Sequence, residues 1–213
     1  MTAGLHSTLL QVAVIGALAV MSPGPDFLIV TRNSLRFSKR VGIATAVGIV
    51  CGNVWWVSAS IAGVSYLIST TPLLFAVLKW CGAAYLVFLG AASLFSKKPQ
   101  SPMGSAGEPV RETEGELSAG AGFRMGLLTN ALNPKCALFY ISFFSVIITP
   151  DTPRVFQWLY GGVVMMIALA WFSLLATVLS FRKVKDKFER SAVWIERITG
   201  VILIALGVKV ALG

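Results

Sequence analysis

The sequence predicts an all-α integral membrane protein with six transmembrane helices, built as two inverted three-helix repeats in which helices 1 and 4 are interrupted. Three observations carry this. Of 213 residues, 56% are hydrophobic and 13% charged, and the mean hydropathy of +0.78 lies well outside the balance of a soluble domain. Apolar runs near the roughly 20 residues needed to cross about 30 Å of hydrocarbon recur along almost the whole chain. Two of those runs are broken in the same manner, by "PGPD" and by "NPK". One transmembrane domain over 1–213 is expected, with repeat 1 at about 1–95, a linker at about 96–120 and repeat 2 at about 121–213.

The first span covers 5–36. Its start lacks the positive charge of a secretory signal and leads into "SPGPD" instead of a plain cleavage site, so it reads as a retained helix. Pro23, Gly24 and Pro25 interrupt it, because Pro removes a backbone donor and Gly loosens a helix. Spans at 41–66 and 73–95 follow; Gly48 and Gly52 read as helix-packing positions, and Trp55, Trp56 and Tyr66 suit an approach to the interface. "SKKPQSPMGSAGEPVRETEGELSAG" has no apolar periodicity and is expected to be a mobile cytoplasmic linker. The fourth span, 122–149, is interrupted at Pro134, and spans at 155–181 and 193–212 complete the set.

Charge sets the orientation. Arg32, Arg36, Lys39 and Arg40 follow the first span, Lys97, Lys98, Arg111 and Arg124 lie between the third and fourth, and Arg182 to Arg190 follow the fifth. The opposite connections carry only Arg154. The positive-inside bias therefore puts the basic loops in the cytoplasm and both termini outside.

The formal net charge of +9 does not point to nucleic acid, since the basic residues sit in loops and not on one solvated face with interleaved aromatics. Cys51, Cys81 and Cys136 lie in apolar runs without a C-x-x-C pair and read as buried inert thiols, against a thiol oxidoreductase. A metal-ion efflux carrier is an alternative, but it needs clustered soft or imidazole ligands, and His6 near the outer end with three scattered cysteines supplies none. No nucleophile, base and orienter set and no phosphate-cradling loop supports an enzyme, and no cofactor is indicated. A non-transporting structural or assembly subunit is the remaining alternative.

The two halves match at their breaks, Pro25 and Asp26 facing Pro134 and Lys135. Lys79, Gly82 and Gly90 are echoed by Arg197, Gly200 and Gly207. A unit with an odd number of spans enters the membrane from the opposite side the second time, and in inverted pairs matching broken helices mark a solute site near the midplane. Backbone freed at such a break is tolerated only beside protein or a watery cavity. Asp26 in the first turn after Pro25 is favoured by the helix dipole, which is a sufficient structural reason for it. Lys135 in the same place is opposed by that dipole. A charge near a helix centre costs roughly 2.5 to 3.5 kcal/mol, so one of each sign at matching breaks points to pairing, a ligand, or both.

Asn130 and Asn133 flank the second break, and Asn53 lies in the second span; an amide there can bond across helices or contact a solute. Tyr140, Trp171, Ser173 and Thr177 are lining candidates, although hydroxyls also back-bond to their own helix.

These stretches, "MSPGPDFLIVTRNSL", "GIATAVGIVCGNVWW", "GAAYLVFLG", "LLTNALNPKCALFYISFF" and "LAWFSLLATVLS", resemble in order and separation the LysE/RhtB family of amino-acid exporters, and within it the threonine and homoserine efflux branch. The resemblance covers nearly the full chain. It implies a six-helix carrier of the bacterial inner membrane that exports small amino acids by proton antiport and forms a homo-oligomer. The acid in "PGPD" is like threonine exporter-like members and favours a small polar neutral substrate. In the mechanism that follows, Asp26 holds the solute ammonium and carries the coupled proton, while Lys135 holds the solute carboxylate. The rival is that Asp26 and Lys135 pair as a gate and touch no solute.

Overall fold

The computed structural model describes residues 2–94 and 117–179, together with 197, 200, 201, 203–205, 207 and 208. Helices α1 (Thr2–Met21), α2 (Pro25–Arg36), α3 (Lys39–Thr70), α4 (Pro72–Leu94), α5 (Ala119–Ala131), α6 (Pro134–Ile147) and α7 (Arg154–Leu179) are connected by short segments, and no strand occurs among the described residues. Most of the expected linker, and the greater part of the span expected at 193–212, lie outside the described residues. Those of the last span that are described are helical.

Both expected interruptions are present. The first run ends at Met21 and resumes at Pro25, with the pieces His6–Met21 and Pro25–Arg36 bent by 59°. The second stops at Ala131 and restarts at Pro134. Each second piece begins with Pro at its first turn, where a missing N–H costs nothing because that donor has no partner within the helix.

Several helix ends lie a few residues from those expected, two of the starts for reasons of local capping. α5 starts at Ala119, inside the stretch assigned to the linker, because the Ser118 hydroxyl accepts the Ala121 N–H at 3.1 Å and caps the helix. α3 likewise starts early, with Ser38 accepting from Val41 N at 3.2 Å, and runs on to Thr70.

By length and composition two helices are fit to cross a membrane, Lys39–Leu67 and Arg154–Leu179, or three if the bent pair counts as one crossing. Leu73–Phe88 and Pro134–Ile147 are apolar but shorter. Large side chains such as Leu73, Trp80, Phe88, Val155 and Met166 point outward, as in a protein solvated by lipid. Cys51 and Cys81 are also on the outside, not buried as expected: the glycine faces of α3 and α4, with Gly48, Gly52 and Gly82, take the helix contacts and turn the cysteines away.

α3 is the centre of the packing, in contact with α2, α5, α6 and α7, while α1 lies on α7 and α4 on α6. Two large apolar clusters result, with a smaller one of Leu86 and Leu203 beside them. Val12, Ile15, Val57, Phe143, Phe144 and Val164 form one, and Val30, Ala46, Ile49, Phe172 and Leu175 the other. Between α3 and α5 there is no side chain to separate the backbones: a Cβ on Gly48 would meet the Phe123 carbonyl, and one on Gly126 the Thr45 carbonyl. This close approach holds the end of α5 beside the middle of α3. A similar contact joins the last segment to α4, where a Cβ on Gly90 would lie 2.6 Å from the Gly200 carbonyl oxygen.

Candidate functional site at the two helix breaks

Asp26 stands in the first turn of α2, 8% exposed, at the end of the helix where unpaired N–H groups favour an anion. Donors reach it from the opposite half of the chain. Asn130 Nδ2 donates to Oδ2 at 2.7 Å, Asn133 Nδ2 to Oδ1 at 3.2 Å and the Cys136 thiol to Oδ2 at 3.3 Å. The same Asn130 amide donates to Asn53 Oδ1 at 2.9 Å, so one side chain ties α2, α3 and α5 together. Its own oxygen faces Gly52, where a Cβ would stand 2.5 Å away, and has no hydrogen-bond partner among the described residues. Trp56 Nε1 donates to the Asn130 carbonyl at 3.1 Å, a second bond on an oxygen that also accepts from Asn133 N at 3.0 Å across the break.

Lys135 answers the dipole objection by reaching away from its own helix. Its Nζ donates to the Ser22 carbonyl at 3.2 Å, the Ser22 hydroxyl at 2.9 Å and the Pro23 carbonyl at 3.0 Å. Those carbonyls are the loose, negative end of α1, so the cation caps a helix more than a hundred residues distant in sequence. Gly24 makes room, since a Cβ there would lie 3.3 Å from the ammonium nitrogen. The backbone N–H of Lys135 is taken by the Asn133 side chain at 3.0 Å, which starts α6.

Asp26 and Lys135 line one cavity of about 50 Å³, with Ser22, Asn53, Asn133 and Tyr140 among the other walls. Tyr140 is almost fully buried, its ring 5.2 Å from that of Phe139 and 6.4 Å from that of Phe144. Asn130 is not among the lining residues and reaches the site through its hydrogen bond to Asp26. Trp171 is placed elsewhere, on α7 against the cluster of Val30, Ala46 and Phe172. Thr177 bonds back to the Ser173 carbonyl at 2.9 Å, the structural use of a helix hydroxyl.

Ser22, Cys136 and Trp56 join the site without having been singled out for it. For the first two a signal was available: Ser22 borders the break and Cys136 follows Lys135 directly. Trp56 had none, being 74 residues from its partner. Removing that contact is testable on its own. Trp56→Phe is expected to cost about 1 kcal/mol, the usual net worth of one hydrogen bond, read as a lower Tm in detergent.

Residues 17–213 match the model of the LysE type translocator family, a stretch that includes both breaks and both charged residues. The chain belongs to that family. Members of that family are translocators and not enzymes, so no bond need be made or broken. Among similar proteins, the uncharacterized membrane protein YrhP of Bacillus subtilis is 29% identical over 98% of this chain and 100% of its own. The threonine efflux protein of Escherichia coli K12 is 28% identical over 93% of this chain and 95% of its own. The leucine efflux protein of Salmonella choleraesuis is 36% identical over 66% of this chain and 64% of its own. No solved structure matches the chain significantly.

Proposed function

We propose that this LysE-type protein is a secondary active exporter of small neutral amino acids of the threonine kind, located in the bacterial inner membrane and driven by protons moving inward. One observation carries the reading: an acid and a base from corresponding breaks in the two halves line the same cavity. A zwitterion needs that pair, a carboxylate for its ammonium and an ammonium for its carboxylate. Relatives that are threonine and leucine efflux proteins support the solute class.

The reading keeps six crossings in two inverted halves, with both termini outside. Three pairs of contacts interchange when the halves are exchanged, α3 on α5 with α1 on α7, α2 on α7 with α3 on α6, and α2 on α5 with α1 on α6, whereas α2 on α3 has no comparable contact of α6 on α7. Such interchange is what a pseudo-two-fold relation produces.

The bonding pattern gives a way to couple binding to movement. The three protons of the Lys135 ammonium are matched by three oxygens at the end of α1, so a solute carboxylate must displace at least one of them. Doing so frees the end of α1 at the 59° break. The cavity of about 50 Å³ has room for little more than water, whereas small-molecule sites span roughly 300 to 1,000 Å³, so admission of a solute requires the halves to part. On the other side, a carboxylate has about four acceptor positions and Asp26 uses three, leaving one for the solute ammonium or for the returning proton. Competition between the two for Asp26 makes the carrier an exchanger.

The bonds of Lys135 to Ser22 and Pro23 also favour a second reading, in which the lysine is a strut that gates the break and never meets solute. Radiolabelled counterflow in proteoliposomes, comparing threonine, homoserine, leucine and lysine at set pH gradients, tests the export function and its proton coupling. Lys135→Met separates the two roles. If Lys135 binds the solute carboxylate, half-saturation by threonine rises at least about ten-fold, as expected for losing a charged hydrogen bond. If it is only a strut, half-saturation stays put and the Tm falls.

A further inference from the structure

A second polar group lies buried about two helical turns beyond Asp26 towards Arg36 and Lys39. Asn33 is seven residues after Asp26 on α2, hence on the same face and roughly 10 Å along the axis. It is fully buried, as is Thr45 on α3. Asn33 Nδ2 donates to Thr45 Oγ1 at 2.9 Å and lies 3.9 Å from Met125 Sδ on α5, so the group stands where α2, α3 and α5 meet. The Thr45 hydroxyl gives its own proton to the Val41 carbonyl at 2.8 Å. That leaves Asn33 Oδ1 an acceptor without a hydrogen-bond partner among the described residues, in a fully buried position. The amide NH2 faces the Met125 thioether, which only accepts, and the Thr45 hydroxyl, whose proton goes to the Val41 carbonyl.

Such an acceptor costs free energy in a resting interior and calls for a reason. Packing supplies none: an aliphatic side chain would fill the place without the cost. Between this group and Asp26 the packing is mainly apolar, with Val30, Ala46 and Ile49 at zero exposure and Thr31 the one buried polar side chain of α2 in that interval. Beyond Asn33 lie Arg36, Lys39 and Arg40. The order along α2 and α3 is thus charged site, apolar plug, polar group with a spare acceptor, basic end. The seam is closed by the contact of Gly126 with the Thr45 carbonyl.

We infer that Asn33 and Thr45 form a second station on the solute route, on the basic side of the plug, which takes the ammonium group of the amino acid when α5 parts from α3. The inference rests on the export reading for the identity of its guest. In the resting state the station is shut and Asn33 Oδ1 waits unsatisfied; when the seam opens, a passing donor meets it before reaching Asp26.

The test removes both polar groups together, so that neither is orphaned. The double variant Asn33→Leu with Thr45→Val is expected to keep or raise the Tm while threonine turnover in proteoliposomes falls about ten-fold, the worth of one lost hydrogen bond to a charged group. Turnover within two-fold of the parent protein overturns the station. A second arm does not depend on the double variant folding: in Asn33→Cys protein, methanethiosulfonate-ethylammonium is applied and modification of position 33 is located by peptide mass mapping. Modification that speeds up in the presence of threonine supports the station, and a position that stays unmodified with and without threonine overturns it. Should the parent protein move no amino acid, the export reading fails by itself, and the mapping still decides whether the seam opens to a small cation.

Discussion

Asp26→Asn is expected to lower amino-acid transport at least about 100-fold in proteoliposome counterflow, the larger part of it through loss of the ammonium's partner. A hydrogen bond to a charged group is worth about 1.5 to 3 kcal/mol, and the substitution weakens several at once. Size is nearly unchanged, so the cavity does not collapse. The chemistry is reversed, however, because an amide at position 26 turns an NH2 towards Asn130, Asn133 and Cys136, which now all point donors at the carboxylate. Asp26→Glu keeps the charge and should retain part of the activity. Transport by the asparagine variant at parental rates would remove Asp26 from the mechanism altogether.

Gly48→Ala is expected to have the largest effect on stability. The added methyl would run into the carbonyl of Phe123, and backbone cannot rotate aside as a flexible side chain does. Overpacking of this kind costs about 1 to 3 kcal/mol, or a Tm lower by about 2 to 4 °C per kcal/mol for a chain of this length. Function should fall with it, because moving α5 off α3 carries Asn130 away from Asp26 and Asn53. Gly63→Ala and Gly162→Ala are the controls: nothing among the described residues lies within 4 Å of a Cβ at either position, so both should leave transport unchanged and Tm unchanged or slightly raised. Equal losses in all three variants would show that close approach does not govern these glycines, since helix propensity by itself favours Ala.

The pattern that made the site legible was the pair of interruptions. Pro25 and Pro134 stop hydrophobic runs where nothing else would, and a charge directly after each proline marks both as more than defects. Since the consequences of Pro and Gly are local, the chain alone reveals them. Helix ends were less legible, because a single capping serine such as Ser118 outweighs the composition of the residues around it. The cysteines were misjudged as a group for a related reason: hydropathy reports that a stretch is apolar, but not which of its faces meets lipid and which meets another helix. Cys51 and Cys136 lie in equally apolar surroundings, yet one is exposed and the other touches Asp26.

What the sequence by itself determined is therefore a helical membrane chain, its two breaks and the residues that carry charge at them. What only the tertiary structure decided is who meets whom: that Asn130 serves Asp26 and Asn53 together, that Lys135 caps the far end of α1, and that a spare acceptor is buried at Asn33. Local propensity acts over a few residues, whereas these contacts join positions up to 113 apart. They depend on how closely glycine faces allow two backbones to approach, and that distance is a property of the packed pair and not of either helix.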